Sequence, residues 1–159
     1  MKPVAPRLLF PILDAATLEE EPELHRRWVA LLTNAATDFD GKMLPAFPDI
    51  LKQLTSEEAQ FLDKVYDEVT LDADRRRTEI LAANPGFKGD VGIIGIRGTL
   101  LKSIDSVLIE NLERLKLVTR TQVPLSPSDE IVNVFPPANH LHISELGRLF
   151  VRACRTPKR

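Results

Sequence analysis

The chain has 159 residues, 43% hydrophobic and 28% charged, with a formal net charge of -2 and one cysteine. This length supports one domain with a sizeable core, and the composition excludes a wholly disordered chain. The charge balance, with a sequence pI near 5.9, argues against a dedicated DNA binder.

No apolar run approaches the roughly 18 residues of a bilayer span; the longest, Leu8 to Leu13, is interrupted by Pro11. No signal-peptide pattern opens the chain. A lone Cys154 can form neither an internal disulfide nor a thiolate zinc site, so a reducing cytoplasm is the expected compartment. Charge is unevenly spread: residues 1–96 carry -6 and residues 97–159 carry +4, a split of the kind that can mark a partner-binding half.

Leu9, Ile12, Leu13 and Ala16 fall on one stripe of a 3.6-residue period and predict a first helix over 6–18. Pro11 lies inside it and predicts a kink or a later start. Leu8 and Phe10 lie off this stripe. Pro22 suits the first turn of a second helix, whose core positions are Leu24, Trp28, Leu31, Leu32 and Ala35. That helix should end near Ala36, before Asp38, Asp40 and Gly41. A short helix follows over Phe47 to Leu54. Thr55 and Glu58 then form a capping box that starts a helix carrying Ala59, Leu62, Tyr66 and Val69. Residues 72–83 read as a separate, weaker helix.

Gly86, Gly89, Gly92, Gly95 and Gly98 recur at a spacing of three. The repeat is too short and too poor in imino acids for collagen. It reads first as an extended linker. The sharper alternative is an anion cradle of backbone N–H groups for a small phosphorylated ligand, although the lysine ending of a P-loop is missing. Residues 100–116 form another helix, with Leu101, Ile104, Leu108, Leu112 and Leu115 as its core stripe. Leu117 to Val123 alternates as a strand, a proline-rich loop follows, and His140 to Ile143 makes a second strand. Ser144 caps a final helix whose stripe is Leu146, Leu149, Phe150, Ala153 and Cys154.

This order predicts a mainly α protein with a small two-stranded β wing, in which an N-terminal helical pair packs on a winged-helix-like module. Residues 1–45 form the N-terminal helical segment and 46–159 the module, the two making one compact unit. In this scheme Ser56–Val69 and 72–83 are the module's first two helices, Leu100–Lys116 is its recognition helix, and 117–143 is the wing.

A series of residues in order carries a family resemblance. Pro22, Leu24, Trp28, Leu31, Leu32 and Ala35 come first, then Phe47, Ile50, Leu51, Gln53, Leu54, Thr55, Glu58 and Ala59. Asn111, Leu112, Arg114, Leu115, Leu117 and Val118 follow, and Ile143, Leu146, Gly147, Phe150, Ala153 and Cys154 complete it. Over about residues 8–154 the chain resembles the bacterial abortive-infection alpha family. The resemblance implies a role in bacteriophage defence and brings no catalytic residues with it.

A recognition helix reads base edges with its outward face. With Leu108 inward, that face presents Lys102, Ser103, Ser106, Glu110, Glu113 and Arg114. The central carboxylates repel phosphate. Arg120 on the wing and a basic stripe including Arg148 and Arg152 complete the candidate partner or nucleic-acid surface: Lys102, Ser106, Arg114, Arg120, Arg148 and Arg152. His140 and His142 share one side of a strand but lack an evident third ligand. Cys154 lies on an apolar stripe and reads as a small buried hydrophobe.

No nucleophile elbow, Walker element or metal framework appears, so no catalytic residue, metal or cofactor is predicted. The expectation is a non-catalytic protein-interaction module of an anti-phage system, binding a protein partner or itself. Nucleic acid is the less favoured partner and no membrane is involved. A winged-helix DNA-binding regulator is the alternative.

Overall fold

The computed structural model describes residues 3–37, 39, 42–83, 85, 106–122 and 139–156. They form mostly helix with one small antiparallel sheet. Lys102, the glycine repeat from Gly86 to Gly98 and the proline-rich loop lie outside the described residues. The chain divides into two compact units, Met1–Asp63 with Glu145–Arg159, and Lys64–Ser144. This division groups the last helix with the N-terminal ones and passes through a helix.

In the first unit, α1 (Pro6–Leu18) and α2 (Pro22–Ala36) both begin on a proline, where the missing N–H costs nothing. α1 runs on through Pro11 without ending. Its buried positions are Leu8 and Ile12, one turn apart on either side of the proline. The expected stripe is therefore rotated: Leu8 is inside, while Leu13 is 42% exposed. α1 packs on α2 and on α3 (Phe47–Leu51), and α2 packs on the final helix, α6 (Glu145–Ala153). The core holds Trp28, Leu31, Phe47, Leu51 and Phe150, all nearly inaccessible. The Phe47 and Phe150 rings meet edge to face at 5.7 Å, an arrangement aromatic quadrupoles favour.

Helix α4 (Ser56–Ala83) is one continuous element of 28 residues, where two helices were expected. Its capping box forms: the Glu58 N–H donates to Thr55 Oγ1 at 3.2 Å, and the Thr55 N–H donates to Glu58 Oε2 at 2.7 Å. Nothing breaks the helix near residue 70. No glycine or proline lies there, the Thr70 hydroxyl donates back to the Tyr66 carbonyl, and Arg76 pairs with Asp72 just beyond the expected gap. Ala59, Leu62, Val65 and Val69 are buried, whereas no side chain from Thr70 to Ala83 is.

The second unit also holds α5 (Ser106–Arg114), β1 (Val118–Gln122) and β2 (Asn139–Ile143). The strands pair antiparallel, Val118 opposite Ile143 and Arg120 opposite Leu141. α5 buries Ile109 and Leu112, while Leu108 is only half-buried, so its inward face is turned one residue from the expected Leu108 stripe. The helix ends in a Schellman turn. Lys116 takes a φ of 61°, its N–H donates to the Glu113 carbonyl, and the Leu117 N–H reaches the Leu112 carbonyl. Leu112 and Leu117, both fully buried, supply the hydrophobic contact that accompanies such turns. Leu117 thus closes the helix, and β1 begins at Val118. Ser144 ties the far end of the sheet to this turn, its hydroxyl donating to the Lys116 carbonyl and its N–H to the Leu117 carbonyl.

Candidate interaction surfaces

Ser106, Arg114 and Arg120 belong to the second unit, and Arg148 and Arg152 to the first. Ser106 and Arg114 are exposed on α5 with Glu110. The Arg114 guanidinium donates to Asn111 Oδ1 through Nε at 3.0 Å and Nη2 at 2.7 Å. Arg120 is held at both ends by one carboxylate. Its backbone N–H donates to Glu113 Oε1 at 3.0 Å and its Nε pairs with Glu113 Oε2 at 3.2 Å. A phosphate approaching these arginines has to displace Asn111 or Glu113 and meets Glu110 as well. Of these two arginines, Arg120 is paired with a carboxylate and Arg114 is hydrogen-bonded to a neutral amide.

In the first unit Arg148 pairs with Glu145 one turn earlier on α6, and the Arg152 guanidinium lies 5.9 Å from the centre of the Phe39 ring. Both are half-buried.

Among the described residues, no group of three or more His, Cys, Asp or Glu is placed to hold a metal. In β2 the buried positions are Leu141 and Ile143, so His142 lies on the opposite face.

The most polar part of the interior was not visible in the sequence. Arg27, only 4% exposed, sits on the buried face of α2. Its guanidinium binds Glu23 at 3.0 Å and Asp63 at 2.5 Å. Asp63 also accepts from Arg155, whose Nε lies 2.9 Å from Oδ1. Glu23, Arg27, Asp63 and Arg155 thus form a chain linking α2, α4 and the segment after α6. Asn34, also buried, donates from Nδ2 to the carbonyls of Ala153 at 2.8 Å and Arg155 at 2.9 Å. These are groups that a helix C-terminus leaves unpaired. The one available signal was phase: Arg27 and Asn34 recur at the spacing of the apolar stripe.

Cys154 is buried beside this cluster. Burial pushes its thiol well above the usual range; Arg27 opposes this weakly and Asp63 adds to it. The folded chain therefore keeps the thiol proton at pH values where the unfolded chain loses it. The associated stability is whole below the unfolded thiol pKa, about 8.5, and declines as pH rises past it. A disulfide reagent at pH 8 is expected to label native Cys154 at least about 100-fold more slowly than the urea-unfolded chain, because the thiolate is the nucleophile. Equal rates would show that this part of the core is open.

The outward face of α1 differs from the others. Phe10 is 68% exposed and Leu13 42% exposed. They border an open depression of about 620 Å³ that α3 closes on the other side with Asp49 and Lys52. Sequence reading placed Phe10 correctly off the core stripe, and Leu13 joins it there.

No helix among the described residues is long and apolar enough to cross a membrane. A family model described as abortive infection alpha matches residues 1–154. No curated protein and no solved structure gives a significant match to the chain.

Proposed function

The chain belongs to the abortive infection alpha family, and on that premise we propose that it is a non-catalytic protein-interaction module of a bacterial phage-defence system, working in the cytoplasm. The family description points to abortive infection, in which an infected cell is sacrificed before the phage spreads. The observation that carries the interaction reading is the face of α1, where Phe10 and Leu13 stand in solvent beside an open depression. Large apolar side chains grouped in this way mark a surface that a protein covers.

The alternative is a DNA-binding regulator with α5 and the β1–β2 hairpin as a winged-helix-like module, reading DNA through Lys102, Ser106, Arg114 and Arg120. The pairing of Arg120 with Glu113 and the exposed Glu110 on α5 favour the protein reading, because carboxylates on such a surface repel phosphate.

Titration of a labelled 20-base-pair duplex separates the two. The protein reading expects no binding at about 10 μM chain in about 50 mM salt. Binding that falls steeply between about 50 and 200 mM salt, and weakens in Arg120→Ala, would replace it with the DNA reading.

A further inference from the structure

We infer that the outward face of α1 is a self-association surface that pairs two copies of this chain through antiparallel α1 helices. The inference rests on the reading of this face as the working surface and supplies its occupant.

Phe10 lies at the centre of the exposed face of α1. Arg7 and Asp14, both exposed, flank it on one edge, and Leu13 borders it on the other. Arg7 and Asp14 are seven residues apart, about 10.5 Å along the axis, too far to pair within one helix.

A two-fold axis lying in the contact plane and perpendicular to α1 runs the two helices antiparallel. It also sets each edge of the helix against the same edge of its mate. When the crossing falls between residues 10 and 11, position 7 stands opposite position 14 of the second copy, and position 14 opposite position 7. Arg7 therefore meets Asp14 of the second copy twice, symmetrically, while the two Phe10 rings meet at the axis. Parallel pairing about an axis along the helices would instead set the Arg7–Asp14 edge against the Leu13 edge of the second copy, leaving both charges without a partner.

The rest of the face agrees. Asp49 and Lys52 at the rim of the depression balance each other, so two copies approach without net repulsion, and the depression gives the second Phe10 ring room. One helix face buries less than the roughly 800 Å² per partner of a standard stable interface, so the dimer is transient and depends on concentration.

Sedimentation of the full chain at about 100 mM salt, from about 5 to 500 μM, tests this. The average mass is expected to climb toward twice that of one chain. Phe10→Ser is expected to weaken association about tenfold or more, as loss of a central aromatic anchor does. Arg7→Asp is expected to weaken it roughly fivefold by setting like charges together. The double variant Arg7→Asp/Asp14→Arg is expected to recover wild-type association within about twofold, since the charges are exchanged across the same contact. All of these side chains are exposed, so unchanged thermal melts serve as the folding control.

A monomer at every concentration, or a double variant no better than Arg7→Asp alone, would overturn the inference. Association unweakened in Arg7→Asp alone would show that Arg7 does not meet Asp14 of the second copy and overturn it as well. A strict monomer that still protects cells, and loses protection in Phe10→Ser, would remove self-association while leaving the interaction reading intact, with a different protein as occupant.

Discussion

Trp28→Ala is expected to destabilise the chain by about 3–5 kcal/mol, the usual cost of removing a buried indole from a packed core. The ring is 1% exposed and its Nε1–H points toward Glu19 at 3.4 Å, so the substitution leaves a cavity and removes one donor from the Glu19 carboxylate. Natural domains have only about 5–15 kcal/mol to lose. Denaturant titration should show a midpoint lowered by a third or more, and Trp28→Phe should recover most of it. A loss below about 1 kcal/mol would mean that the indole does not fill the space between α2 and its neighbours.

Asp63→Ala is expected to be of similar size, about 3 kcal/mol, for an electrostatic reason. One carboxylate serves both Arg27 and Arg155, and the Arg27 Nε is already buried without a hydrogen-bond partner among the described residues. Removing Asp63 leaves a desolvated guanidinium with Glu23 alone. Breaking a buried pair from one side costs far more than the pair contributes, because the surviving charge stays buried. The double variant Arg27→Met/Asp63→Leu should therefore lie closer to wild type than Asp63→Ala does. A double-mutant cycle by urea unfolding should give a coupling of about 1–3 kcal/mol. Strict additivity would show that the two side chains do not depend on each other.

These two sites show where sequence reading succeeds and where it stops. Trp28 was legible because apolar side chains three and four residues apart have one common explanation, a buried helix face. The Thr55–Glu58 cap was legible because both partners are local, and the two strands because alternation and proline-rich spacing bound them. Arg27 and Asn34 were not legible. Each binds a residue at least 36 positions away in sequence, and hydropathy marks both as solvent-facing. The phase errors have a related cause. In α1 and α5 more than one apolar stripe was available, and tertiary packing chose Leu8 with Ile12 and Ile109 with Leu112.

Helix α4 failed the expectation for a different reason. Weak amphipathicity beyond Val69 was read as a break, but continuity needs only the absence of a breaker and some local support, which Thr70 and the Asp72–Arg76 pair provide. For the candidate surface, the side-chain contacts of the arginines were not legible. Arg114 and Arg120 are placed as their spacing implied, yet Asn111 and Glu113 occupy them. Arg148 and Arg152 are half-buried on α6. Phe10 was legible as an outlier from the apolar stripe, and it is exposed on the outward face of α1.

Phage challenge of cells expressing the chain tests most directly whether defence runs through the α1 face or through the arginines of α5 and the hairpin. Wild type, Phe10→Ser/Leu13→Ser and Arg114→Ala/Arg120→Ala are compared at matched protein levels. The apolar-face variant is predicted to lose protection and the arginine variant to keep it. Protection that survives the loss of Phe10 and Leu13 but disappears with the two arginines would contradict the account.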